Sequence, residues 1–194
     1  MDSKFFTLID PLFKYIDSGK FFRQPMQWLY YIIGVICLIA PLYLLYYLFD
    51  DNVFSYADGG ECFAIILIWL VFAALCYGGF MLWFNRAGKL ATILQPDSKF
   101  VAVPALANFI QTSGEFLGMF FGLFSFASSI IITLFSAGIA RYAFGSLNAG
   151  SSLGTGIGML LGGYIIVISS RYIAELVLAI ADIANNTDKI AKSK

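Results

Sequence analysis

Histidine does not occur in this chain, and charge is scarce. Without an imidazole there is no histidine metal ligand, no histidine general base and no Ser-His dyad. Only 12% of the 194 residues are charged, against about 25% in a soluble domain. That deficit cannot cover a water-facing surface, so most of what surrounds the chain must be lipid. The formal net charge is zero, which removes the basic footprint that nucleic-acid binding requires. The three cysteines, Cys37, Cys62 and Cys76, lie in or beside apolar runs and form no CxxC pair. They read as small apolar packing residues, not as zinc ligands. No metal and no other cofactor is expected. Residues 1–17 carry three aspartates and no small-residue cleavage site after an apolar core, so no signal peptide is expected there.

What the chain does have is apolar. Hydrophobic residues make up 60% and aromatic residues 18%, and the mean hydropathy is +0.82. The most ordered stretch is Gly114–Gly138. Its small residues are Gly114, Gly118, Gly122, Ser125, Ser129, Thr133 and Ser136. Steps of three and four place them on one helix face. No charge occurs between Glu115 and Arg141, so the run is long enough to cross a bilayer. In lipid, helices gain little from hydrophobic contact. Close backbone approach and hydroxyl hydrogen bonds hold them together instead. Gly154, Gly158 and Gly162 repeat the four-residue step on the next apolar run. The two faces are expected either to pack on each other within the chain or to form a self-association face; a ligand groove is the remaining option.

Four spans are predicted, at about residues 28–49, 62–84, 116–140 and 153–170. Tyrosine and tryptophan mark both ends of the first, as aromatic belts do, and Pro41 should bend it. An amphipathic segment with a central Pro11 precedes it, and a second, about 101–110 with Pro104, precedes the third span; both read as interfacial. Asp50–Glu61 is an acidic loop whose spacing does not match a calcium-binding loop, and it reads as solvated. The fourth span continues as one helix to about Asn186. Eleven of the twelve lysines and arginines fall on one side of a four-span arrangement, with only Arg141 on the other. That asymmetry predicts both termini in the cytoplasm. The expected fold is all-α and polytopic, two hairpins each preceded by an interfacial segment. At the last membrane exit Arg171 and Glu175 stand four apart, suited to an ion pair on the helix surface.

The halves resemble each other. Tyr15-Ile16-Asp17-Ser18-Gly19-Lys20-Phe21 leads into the first span, and Phe109-Ile110-Gln111-Thr112-Ser113-Gly114-Glu115-Phe116 into the third. Each half then has two spans, the second ending in an arginine, Arg86 or Arg171. Units of two spans share one orientation, so this is a parallel repeat, with units 1–94 and 95–194. The tail Arg171-Tyr172-Ile173-Ala174-Glu175, followed by Ile183-Ala184-Asn185-Asn186, and the stretch 21–35 resemble the bacterial family of small membrane proteins known as domain-of-unknown-function 4282. The first unit departs from it, since the tail after Arg86 lacks the glutamate. The resemblance implies a bacterial inner-membrane protein with no assigned activity.

No ionisable residue is expected within a span, which disfavours a proton-coupled carrier. Glu61, Glu115, Arg141 and Glu175 stand at span ends with no motif joining them, which disfavours an enzyme. The expected role is a structural or accessory subunit, in a homo-oligomer or a larger membrane complex. The alternative is a small channel or transporter lined by the hydroxyls of the third span.

Overall fold

A chain this apolar must satisfy its backbone polar groups internally, because lipid offers no partner. The helix does this, and in the computed structural model the described residues are helical almost throughout. The structure describes residues 20–93 and 102–192. Helix α1 is Lys20–Asp50 and α2 is the short Val53–Tyr56. Helix α3 is Gly59–Ile93 and α4 is Ala102–Phe135. Then come α5, Gly138–Phe144, a 3-10 turn at Gly145–Leu147, and α6, Leu153–Lys192. No strand occurs among the described residues.

Four of these helices are long and apolar enough to cross a membrane: Gln24–Asp50, Gly59–Leu90, Val103–Phe135 and Leu153–Thr187. At about 1.5 Å per residue, segments of 27 to 35 residues reach about 40–52 Å. That exceeds a hydrocarbon core of about 30 Å. The chain is thus a multi-pass membrane protein whose helices extend past the core.

Two expectations change here. The segment predicted to lie separately before the third span is, as far as it is described, the first turns of α4. Pro104 sits in the opening turn, where a missing N–H costs no helical hydrogen bond. The third span also ends earlier than 140. Ser136 takes a left-handed φ of 51°, and the Ala137 N–H bonds back to the Ile132 carbonyl at 3.1 Å. That is a Schellman stop on a non-glycine residue. The amphipathic segment around Pro11 lies outside the described residues.

The acidic loop is solvated at Asp50, Asp51 and Asp58, as expected, and two of its acids also cap or anchor helices. Asp58 Oδ1 accepts the Glu61 N–H at 2.7 Å and so caps α3. Glu61 Oε1 in turn accepts the Ile139 N–H at 3.2 Å, in the first turn of α5. This anchors α5, whose Phe144 is fully buried beside Phe124, ring centroids 6.5 Å apart.

The long helices are in contact as a row: α1 on α3, α3 on α4, α4 on α6. The seams differ in kind. Between α1 and α3, Phe84 fills the notch at Gly34, and the Trp69 indole N–H donates to the Pro41 carbonyl at 2.9 Å. Pro41 lies inside a continuous α1. Between α3 and α4 the contact is aromatic: Phe72 meets Phe120 and Phe124 at 5.5 and 5.7 Å, and Phe116 covers Gly79.

The α4–α6 seam is made of small residues. A side chain at Gly114 would strike Ser170, one at Gly118 would strike the Gly163 carbonyl, and one at Gly156 would strike Ser129. As α4 numbers rise, their α6 partners fall, so the helices run antiparallel. Because the obstacle at Gly118 is backbone, it cannot rotate away. Gly118→Val should therefore destabilise the protein by about 1–3 kcal/mol or more, the usual cost of overpacking. Reversible unfolding of the detergent-solubilised protein in mixed micelles measures this.

Candidate functional site

The strongest concentration of polar chemistry lies where Arg86 near the C-terminal end of α3, Glu115 within α4 and Arg171 in the middle of α6 meet. Gly114 abuts Ser170, and this close approach sets the next residue of each helix, Glu115 and Arg171, side by side. Glu115 Oε1 lies 3.2 Å from Arg171 Nε. Its other oxygen lies 2.7 Å from a terminal guanidinium nitrogen of Arg86, on α3. One turn back on α4, the Gln111 amide donates to Glu115 Oε1 at 2.8 Å. One carboxylate thus joins three helices. The Glu115 side chain is 11% exposed, Arg86 23% and Arg171 59%.

A second polar group lies beside it. The Tyr30 hydroxyl donates to Asn108 Oδ1 at 2.8 Å, and the Thr112 hydroxyl donates to the Asn108 carbonyl at 2.8 Å. This ties α1 to α4. Tyr30 and Trp83 pack edge to face at 5.0 Å above it. All three long-helix seams are therefore fastened at one end of the molecule.

Chemically the cluster is a set of ion pairs with amide and hydroxyl hydrogen bonds, and the Ser170 hydroxyl beside it donates to the Val167 carbonyl at 2.9 Å. Among the described residues, no three acids or cysteines come close enough to hold a metal ion.

The predicted positions divide into those facing a neighbour and those facing away. Gly114, Gly118, Gly122, Ser125 and Ser129 all face α6 or the loop before it: Gly122 approaches Met159 and Gly163, and Gly150 packs against Ser125 and Ser129. Two of the hydroxyls are turned to local use, while the buried Ser125 hydroxyl makes no hydrogen bond. Ser129 donates to the Phe126 carbonyl at 2.7 Å and Thr133 to the Ser129 carbonyl at 2.7 Å. Ser128, beside that face, accepts the Gly150 N–H at 3.2 Å. Thr133 and Ser136 are exposed, and Ser136 lies past the end of α4, off its face.

On α6 the predicted face is rotated out. A side chain at Gly158 or Gly162 would meet nothing within 4 Å, and one at Gly154 only Ser152 at 3.8 Å. The residues that meet α4 are Gly156, Gly163 and Ser170, seven apart. Arg171 is drawn to Glu115 on the facing helix, while Glu175 is exposed one turn beyond. The ion pair that the structure gives Arg171 is thus between helices, not along one.

Sequence reasoning passed over three participants: Glu115 as a hub, Arg86 as its partner, and the Gly156–Gly163–Ser170 series. The predicted repeat puts Arg86 and Arg171 at matching positions, and the predicted topology puts Glu115 on the same side as both. That combination was the available sign. No family model, curated protein or solved structure matches this chain. The family resemblance rests on the quoted motifs alone.

The exposures rank the expected effects of substitution. Glu115→Ala removes the counter-charge that two guanidinium groups share and, since both of them reach solvent, should cost about 1.5–3 kcal/mol, as for losing hydrogen bonds to a charged group. Arg171→Ala, at a half-solvated position, should cost under about 1 kcal/mol, with Arg86→Ala between them. Unfolding free energies in mixed micelles give the order directly.

Proposed function

We propose that this chain is a non-enzymatic subunit of a membrane assembly, in the simplest case a homo-oligomer joined through the outer face of α6. The observation that carries this reading is the outward turn of Gly154, Gly158 and Gly162, which leaves open space beside the last two. Helix α6 packs on α4 alone among the long helices to any extent. A glycine face on a helix that meets lipid gives a second helix the close approach that membrane association needs.

In this reading the four spans form two hairpins, the repeat units 1–94 and 95–194. The Arg86–Glu115–Arg171 end faces the cytoplasm with both termini, following the lysine and arginine bias. A bacterial inner membrane follows from the family resemblance. A pore lined by Ser125, Ser129 and Thr133 is the less favoured reading, since Gly150 and Gly156 fill the space in front of Ser129.

The test is the size of the solubilised particle. Gly158→Leu with Gly162→Leu adds bulk where nothing in the protomer is touched, so the thermal midpoint should stay put while the assembly falls to monomers. An unchanged assembly size in that variant would remove the α6 face as the joint.

A further inference from the structure

At the opposite end of the molecule from Glu115, a pocket of about 390 Å³ opens between the last turn of α1, the short α2 and the start of α5. This lies at the small end of the range of about 300–1,000 Å³ for small-molecule sites. Three tyrosines line it, Tyr47, Tyr56 and Tyr142, together with the carboxylate of Asp51. Val53 and Ala143, both buried, form its floor. The Asp51 N–H donates to the Tyr47 carbonyl at 3.0 Å, which holds the two residues one turn apart at the end of α1.

The pocket is fixed by structure around it. Asn52 takes a left-handed φ of 52°, which reverses the chain and brings Tyr56 to the same pocket as Tyr47. Helix α5 is pinned by the Glu61 carboxylate and by buried Phe144, and it supplies Tyr142. Tyrosines at a membrane boundary usually stand singly around the perimeter as a belt. Here three from separate elements converge on one cavity with an acid.

That combination selects a ligand chemistry. Aromatic faces attract cations, most effectively weakly hydrated ones such as quaternary ammonium groups. Asp51 supplies the counter-charge. Asp50, Asp58 and Glu61 add negative potential at this end, and its one arginine, Arg141, is exposed on α5 and does not line the pocket. Anions are repelled, and phenol rings cannot replace the water shell of a sodium ion.

We propose that this pocket binds a methylated ammonium group, carried either by a free small molecule or by a lipid headgroup. The probe is tetramethylammonium chloride, titrated by calorimetry into the full-length protein in a maltoside detergent, with sodium chloride at equal ionic strength as the blank. Saturable binding is expected. It should weaken about tenfold, the equivalent of about 1.4 kcal/mol, in Asp51→Asn and again in Tyr142→Leu. Both positions are exposed, so the thermal midpoint should hold; Tyr56→Leu is the substitute if either variant fails to fold.

Reconstitution separates the sources. If the natural ligand is a headgroup, phosphatidylcholine bilayers compete with the probe and phosphatidylglycerol bilayers do not. If it is a free molecule, binding is equal in both. No saturable binding by the folded protein, or binding that Asp51→Asn and Tyr142→Leu leave unchanged, overturns the proposal.

Discussion

The carboxylate of Glu115 lies on an apolar helix with only 11% of its side chain exposed. A charge in that position is costly unless other groups take over from water. Here two guanidinium groups and one amide do so, and they come from three helices. Meeting this requirement fixes the depth and rotation of α3 and α6 against α4. A buried ion pair is poor evidence for net stability. Its consequence here is register. Arg86 lies on α3 and Arg171 on α6, so the contact that satisfies Glu115 also sets both helices against α4.

Rotation of α6 has a further effect. Gly156 and Gly158 lie about 160° apart around a helix turning about 100° per residue. With Arg171 held on Glu115 and Ser170 against Gly114, Gly156 and Gly163 must face α4. Gly158 then faces outward. One glycine-rich helix thus presents a close-packing face to its own chain and a second one to the membrane. The first half solves its packing otherwise, with Phe84 over Gly34 and Trp69 on the Pro41 carbonyl. Aromatic rings fill there the space that glycine and serine remove in the second half.

Hydropathy makes the four long apolar helices legible, because lipid leaves the backbone only helices and closed barrels, and unbroken apolar runs of this length fit the helix. The packing face of α4 was also readable, since Gly114, Gly118 and Gly122 offer a single regular series. That of α6 was not. Two series compete on that helix, one in steps of four and one in steps of seven, and only the ion pair on the neighbouring helix decides between them. Arg171 invited a pairing with Glu175 because local spacing is visible in a sequence. Its partner on α4 is 56 positions away and becomes adjacent only once the helices are packed. Ser136 misled for a similar reason: its spacing continued the face, but its backbone ends the helix.

The central claim is that Arg86 and Arg171, on helices with little direct contact, act through one shared carboxylate. A double-mutant cycle tests it most directly. Arg86→Ala and Arg171→Ala are measured singly and together, by unfolding in mixed micelles, in the native background and again with Glu115→Gln. Through a shared Glu115, the two losses should be non-additive in the native background and should shrink toward zero once the carboxylate is gone. Additive losses of the same size in both backgrounds would contradict the account.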